Sequence, residues 1–214
     1  GYNVWQNNLD NVAEFDGVEA LMNLRFHHNL VLSTYDALAI TTTENGGPLT
    51  IDHNIWWPGG GRIMKLVGTG RTNRGVEFVH NTYFTGETSS FNQFENSIFE
   101  NNIVISECVK ESWTVERLGS FFPTKYNLLK NGERYAPSSG AIFDDPKLGD
   151  TPSNFFLLQK GSPAINAGVL KEKYHQLNVS DKHPDVGAME YGEDIDTSLA
   201  NFGHCGPRLI TRQN

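Results

Sequence analysis

The chain predicts an all-β fold, a right-handed single-stranded parallel β-helix, and three observations carry that expectation. An asparagine returns every 21 to 27 residues along the first 130 positions. Each return sits in the same apolar frame, as in Leu24-Arg25-Phe26-His27-His28-Asn29-Leu30-Val31-Leu32 and Leu49-Thr50-Ile51-Asp52-His53-Asn54-Ile55-Trp56-Trp57. No apolar stripe at helical spacing interrupts the series. A repeat of this length with strand-like alternation is the mark of a solenoid. A β-sandwich with asparagine in its turns would not hold the residue in phase.

The frames run in order along the chain. The first is Val4-Trp5-Gln6-Asn7-Asn8-Leu9, with Asn8 in phase with Asn29. The later ones are centred on Asn81, on Asn102 and on Asn127. Three residues before the asparagine stands Trp5, Phe26, Ile51, Phe78 or Phe99. One and three residues after it stand pairs such as Leu30 and Leu32, Ile55 and Trp57, Ile103 and Ile105. Alternate strand residues share a face, so these positions are expected to line the interior. The asparagine marks the corner between two strands, where it tolerates left-handed backbone and its amide can bond the next coil in an Asn ladder. A further sheet should follow each loop, with strands near 11–15, 37–41, 62–67 and within 87–91. Residues 1–135 are thus read as coils and 136–214 as an irregular C-terminal cap. A solenoid covers each exposed core end, and Tyr2 already belongs to a coil. The chain is therefore expected to be N-terminally incomplete, or to stack its first coil on a further N-terminal portion or a second chain.

Composition narrows the partners. With 17 basic and 25 acidic residues the net charge is −8. That argues against nucleic acid and anionic membranes, while a local basic cleft can still receive an acidic polysaccharide. No apolar run reaches membrane-spanning length. Cys108 and Cys205 can form one bridge or remain free, and they match no zinc-ligand spacing. Asn178-Val179-Ser180 is a glycosylation sequon, a triplet common by chance.

The tail reads Gly140-Ala141-Ile142-Phe143-Asp144-Asp145-Pro146, then Asn154-Phe155-Phe156-Leu157-Leu158, then Gly161-Ser162-Pro163-Ala164-Ile165-Asn166-Ala167-Gly168, and last Pro184-Asp185-Val186-Gly187-Ala188-Met189-Glu190. This series resembles the closing segment of secreted pectate-lyase-like right-handed β-helix proteins. The resemblance implies the fold, a secreted or cell-surface location and a carbohydrate substrate. It leaves the reaction open, because such relatives include polysaccharide lyases, glycoside hydrolases, epimerases and non-catalytic surface proteins. Asp144, Asp145, Asn166, Asp185 and Glu190 are expected to hold turns, with a bound Ca2+ as the alternative.

Enzymes of this kind act on the outer face of the sheet that follows the loop. There the strand pattern assembles Arg62, Lys65 and Asp36, with Arg71 and Arg74 in the next loop and Glu14 and Asp16 on the coil before. A β-eliminating lyase needs a base for the proton alpha to a uronate carboxylate and a cation for the resulting charge. Lys65 or Arg62 fits the base, and Arg71 or Arg74 the assistant. An inverting glycosidase needs two separated carboxylates, available in Glu14, Asp16 and Asp36. Tyr35-Asp36-Ala37-Leu38-Ala39-Ile40 resembles the "DDA.AI" segment of polygalacturonase-like hydrolases, with Tyr35 in place of its first aspartate and no "GHG" motif. A plain ladder of solvated salt bridges is the competing structural reading. Trp56 and Tyr83 fall two residues after their asparagines, at the expected outward position, where aromatic faces would stack on sugar rings. A covering loop such as 106–122 is the alternative. His28, His53 and His80 share the position just before the asparagine, as metal ligands, substrate contacts or hydrogen-bonded turn residues. No metal is assigned, and no cofactor beyond a possible Ca2+. The alternative to a lyase or hydrolase is a non-catalytic β-helix of a surface, adhesion or appendage protein.

Overall fold

The computed structural model describes residues 3–6, 11–15, 23–32, 36–40, 48–57, 62–66, 72–84, 93–105, 124–130, 139–149, 154, 156–170 and 183–193. Among them there are strands and no helix. In chain order the strands are β1 (Asn3–Gln6), β2 (Asn11–Phe15), β3 (Leu24–His27), β4 (Asn29–Leu32), β5 (Asp36–Ile40), β6 (Leu49–Asp52), β7 (Ile55–Trp57) and β8 (Arg62–Leu66). They continue as β9 (Thr72–Arg74), β10 (Val76–Val79), β11 (Thr82–Phe84), β12 (Gln93–Glu95), β13 (Ile98–Glu100), β14 (Ile103–Ile105), β15 (Thr124–Lys125) and β16 (Leu128–Lys130).

Every pairing between named strands is parallel. The six-stranded sheet runs β1-β4-β7-β11-β14-β16, the five-stranded sheet β15-β13-β10-β6-β3, the three-stranded sheet β2-β5-β8, and β9 pairs with β12. Each strand bonds the strand one repeat away, which is consistent with a parallel β-solenoid. The three expected strands near 11–15, 37–41 and 62–67 correspond to β2, β5 and β8; the fourth, within 87–91, lies outside the described residues.

The corners explain the period. His28, His53, His80, Asn101 and Tyr126 all hold φ between 50° and 56°, left-handed backbone. Each is followed by an asparagine, which is fully or almost fully buried. The side-chain amide of Asn29 donates to Asn54 Oδ1 at 2.9 Å, Asn54 to Asn81 at 3.0 Å, Asn81 to Asn102 at 3.1 Å and Asn102 to Asn127 at 3.1 Å. Each amide also reaches a backbone carbonyl two residues earlier, as Asn81 Nδ2 does to Val79. Polar groups in an apolar interior cost free energy unless bonded, and these are bonded at nearly every valence.

The first frame is corrected by the register. Asn3, not Asn8, is the Cα partner of Asn29, and its Nδ2 donates to Asn29 Oδ1 at 3.1 Å. Trp5 therefore follows the corner, opposite Val31, and is 40% exposed rather than interior.

The facing of the six-stranded sheet is also the reverse of the expected one. Trp56 stacks on Phe26 at 5.6 Å, and Tyr83 on Phe99 at 5.7 Å, across to the five-stranded sheet. Val31, Trp56, Tyr83, Val104 and Leu129, successive partners in register, are the interior column, each 1% exposed. Leu30, Leu32, Ile55, Trp57, Phe84, Ile103, Ile105 and Leu128 point the other way. There they form a second core with Phe156, Leu158, Ala164, Val186, Ala188 and Met189 of the C-terminal segment. The apolar free energy of this segment, about 25 cal/mol per Å² buried, comes from covering that outer face. Gly187 shows how close the approach is: at φ 107° a Cβ would stand 2.6 Å from Ile103 Cδ1 and 3.0 Å from Thr82 Oγ1. The next amide, Ala188 N, donates to Thr82 Oγ1 at 3.0 Å.

The acidic residues of the tail hold backbone. Asp145 Oδ1 accepts from Lys147 N, and its other oxygen pairs with Lys130 at 3.1 Å. Asp144 Oδ1 caps Asp145 N, Asp185 accepts from Asn166 N and Tyr191 N, and Glu190 accepts from Asp185 N. No described helix is long and apolar enough to cross a membrane.

Candidate functional site

The expected catalytic residues are divided by the structure. Asp36 opens β5 and is the Cα partner of Arg62, which opens β8. Glu14 on β2 partners Ala39, and Ala39 partners Lys65, so these three occupy one rung of successive coils. The backbone thus brings four of the named residues into one three-stranded sheet, at two register positions three residues apart. Arg71 and Asp16 lie outside the described residues, as do Cys108, Cys205, Asn178 and the 106–122 segment. Arg74 does not sit in a loop beside Lys65. It lies on β9, where its Nε donates to Glu95 Oε2 of β12 at 2.8 Å, and both side chains are about half exposed, 52% each. An exposed pair like this contributes roughly 0–1 kcal/mol.

The expected aromatic platform is overturned. Trp56 and Tyr83 do stack, with centroids 6.1 Å apart and planes 10° from parallel, but they do so inside the coil. Burial raises the Tyr83 hydroxyl well above its usual value. The reason for the reversal lies in the outer face, which the C-terminal segment covers with Phe156 and its neighbours.

The histidine corner is the best-defined polar cluster among the described residues. His28, His53 and His80 stack ring on ring, with centroids 4.8 Å and 5.0 Å apart and planes within 10° of parallel. Successive coils place the same left-handed residue one above another, so the stack follows from the repeat. His80 belongs to the structure of the corner. Its Nδ1 donates to the Asp185 carbonyl at 3.1 Å, and its Nε2 accepts from Asn101 Nδ2 at 3.0 Å. His53 Nδ1 instead meets Asp52 Oδ2 at 2.9 Å. Asp52, with no exposed side-chain surface, takes two bonds from Arg25, Nε to Oδ1 at 2.8 Å and Nη2 to Oδ2 at 2.6 Å. The Nδ1 atoms of His27 and His28 approach to 2.8 Å. One ligand-capable atom each from His28, Asp52 and His53 lies within 4.8 Å of the other two.

Electrostatics in this corner favour neutral His27 and His28 and an ionised Asp52. Burial alone raises the Asp52 carboxyl, but the bonds from Arg25 and His53 outweigh it and hold the group well below the usual carboxylate range. Burial, then the neighbouring His53 and His27, lower His28 from 6.5 to about 4. His27 is lowered by burial and by Arg25.

A pH dependence follows. Between pH 6.5 and about 4 the unfolded chain protonates the His28 imidazole while the folded ring resists. Unfolded chains bind the extra proton, so stability falls as pH falls through this window. The depressed Asp52 acts in the same direction further down, losing its contribution below pH 3.8. After discounting for the half-exposed ring, the His28 part is on the order of 1–2 kcal/mol. Urea unfolding at pH 7 and pH 4.5 measures it. His28→Asn should flatten the difference, and an unchanged slope would remove His28 as its origin.

Arg25 and Asp52 carry the corner and were not singled out by their chemistry in the sequence. A signal existed: with His27 they occupy alternate positions of β3 and β6, opposite in face to the partly buried Phe26 and the buried Ile51. No family model matches this chain, and no curated protein matches it.

Proposed function

We propose that this chain is a right-handed parallel β-helix with an Asn ladder, of the pectate-lyase-like kind, and that it acts outside the cell on an acidic polysaccharide as a β-eliminating lyase. The fold part of the reading is supported by the parallel pairing of strands one repeat apart and by the amide bonds joining Asn3, Asn29, Asn54, Asn81, Asn102 and Asn127. The observation that carries the reaction is the rung that holds Glu14, Ala39 and Lys65 on adjacent strands, with Asp36 and Arg62 paired three residues away. Residues an odd number apart on a strand belong to opposite faces. Lys65 and Glu14 therefore work as one group, and Asp36 and Arg62 as another. In the proposed reaction neutral Lys65 takes the proton alpha to the uronate carboxylate. The bond from the β-carbon to the glycosidic oxygen then breaks, leaving an unsaturated sugar, and the departing oxygen gains a proton. A Ca2+ ion bound with the substrate carboxylate would neutralise the charge that develops.

The test is absorbance of the unsaturated product on uronic-acid polysaccharides, with and without calcium. General-base catalysis is worth roughly 10²–10⁴-fold, so Lys65→Ala should lower kcat by about that factor. New reducing ends without absorbance, removed by Asp36→Asn, would replace elimination by hydrolysis. A second reading, a non-catalytic surface β-helix, is favoured by the burial of Trp56 and Tyr83, which withdraws the expected sugar platform. Neither product on any glycan would leave that reading standing.

A further inference from the structure

We propose that the corner made by His28, Asp52 and His53 is a binding site for a divalent transition-metal ion of the zinc type, clamping two successive coils together. The argument starts from donor chemistry. Two imidazoles and one carboxylate supply atoms within 4.8 Å of one another. Imidazole with one carboxylate is the donor set of zinc, cobalt, nickel and copper sites. Calcium requires six to eight oxygens, and this corner offers the oxygens of one carboxylate. Closing these atoms from within 4.8 Å onto one ion at the ~2.0–2.2 Å bonds of zinc is the change that binding requires.

The surroundings are those of a supported site. Arg25 holds the Asp52 carboxylate by two hydrogen bonds, one to each oxygen, and Oδ2 is the oxygen that also meets His53. An outer partner of this kind orients a ligand and holds its charge. Asn29 and Asn54, each next in sequence to a histidine, are locked by the amide bonds between coils, so the left-handed backbone at His28 and His53 is held in place. Binding exchanges a hydrogen for the metal: the bond from His53 Nδ1 to Asp52 Oδ2 opens, the ring takes its Nε2–H form, and both atoms turn to the ion. His80, whose two nitrogens are engaged by Asp185 and Asn101, is left out of the site.

The experiment titrates the full chain, stripped with chelator, with Co2+ and follows the visible bands of tetrahedral cobalt, then competes with Zn2+ and Ca2+. One equivalent of saturable binding is expected, displaced by Zn2+ and not by Ca2+, with a higher melting temperature in Zn2+. His28→Asn and His53→Asn keep a residue suited to the left-handed corner, as Asn101 shows at φ 56°. Each should weaken binding on the order of 100-fold or more, beyond the 10–100-fold typical of outer partners. His80→Asn should bind as before. Absent saturable binding, or binding unchanged in both variants, overturns the site. If either variant fails to fold, acylation of the unaltered protein decides: Zn2+ must shield His28 and His53 from diethyl pyrocarbonate, and equal labelling with and without zinc also overturns it.

Discussion

Asn81→Ala is expected to lower the melting temperature by about 10–20 °C or to prevent soluble folding. The side chain is fully buried and serves four partners. Its Oδ1 accepts from Asn54 N and Asn54 Nδ2, both at 3.0 Å. Its Nδ2 donates to the carbonyls of Ile51 and Val79 and to Asn102 Oδ1. Alanine fits the space but removes five buried bonds: Asn54 N loses its acceptor, while Asn54 Nδ2, the Val79 carbonyl and Asn102 Oδ1 keep other partners. A buried orphan costs roughly 1–3 kcal/mol and each other lost bond roughly 0.5–1.5 kcal/mol, so a loss of about 4–6 kcal/mol is expected against a total stability of about 5–15 kcal/mol. For a chain of this size, 1 kcal/mol moves the midpoint by about 2–4 °C. Thr50→Ala is the control: its hydroxyl makes one long contact, 3.5 Å to Glu77, and its loss should pass almost unnoticed. A midpoint for Asn81→Ala close to that of the control would show that the amide bonds between coils contribute little.

Phe156→Ala should be nearly as severe, by a different route. Phe156 is 2% exposed, and its ring meets Trp57 at 6.0 Å and Phe84 at 5.6 Å, edge on in both cases. It joins the C-terminal segment to the outer face of the six-stranded sheet. Truncating a buried phenylalanine costs about 3–5 kcal/mol, and the cavity here opens between two segments that can part. The expected result is a lower midpoint together with faster proteolytic cutting within residues 139–193 and a red-shifted tryptophan emission as Trp57 meets water. Cutting and emission like those of the unaltered protein would mean that the segment is held by its backbone bonds, such as Gly187 N to the Asn101 carbonyl at 2.9 Å, rather than by this core.

The facing of the six-stranded sheet shows where sequence reasoning stopped. Runs such as Leu30-Val31-Leu32, Ile55-Trp56-Trp57 and Ile103-Val104-Ile105 are apolar at every position. Alternation then cannot tell inside from outside. A continuous apolar run is the mark of a strand buried on both faces, and that reading would have announced a second core. Where alternation was real, as in Arg25-Phe26-His27, the inward residue was identified correctly. The first frame went astray for a related reason: Asn3 and Asn8 both lie within the range of the period, and only the register with Asn29 separates them.

What the sequence determined by itself was the repeat, and with it the all-β architecture, most of the corner asparagines and strands near 11–15, 37–41 and 62–67. These depend on local chemistry, a left-handed corner and strand alternation recurring at a fixed spacing. What the tertiary structure alone decided was contact across repeats and across long separations. It turned Trp56 and Tyr83 inward, set Phe156 against Trp57, paired Arg74 with Glu95, and gathered Arg25, Asp52, His28 and His53 into one corner. Arg74 and Glu95 lie 21 residues apart and Arg25 and Asp52 27, and Trp57 meets Phe156 from far along the chain. No local periodicity encodes which of two apolar faces receives a distant segment, because either choice buries similar area.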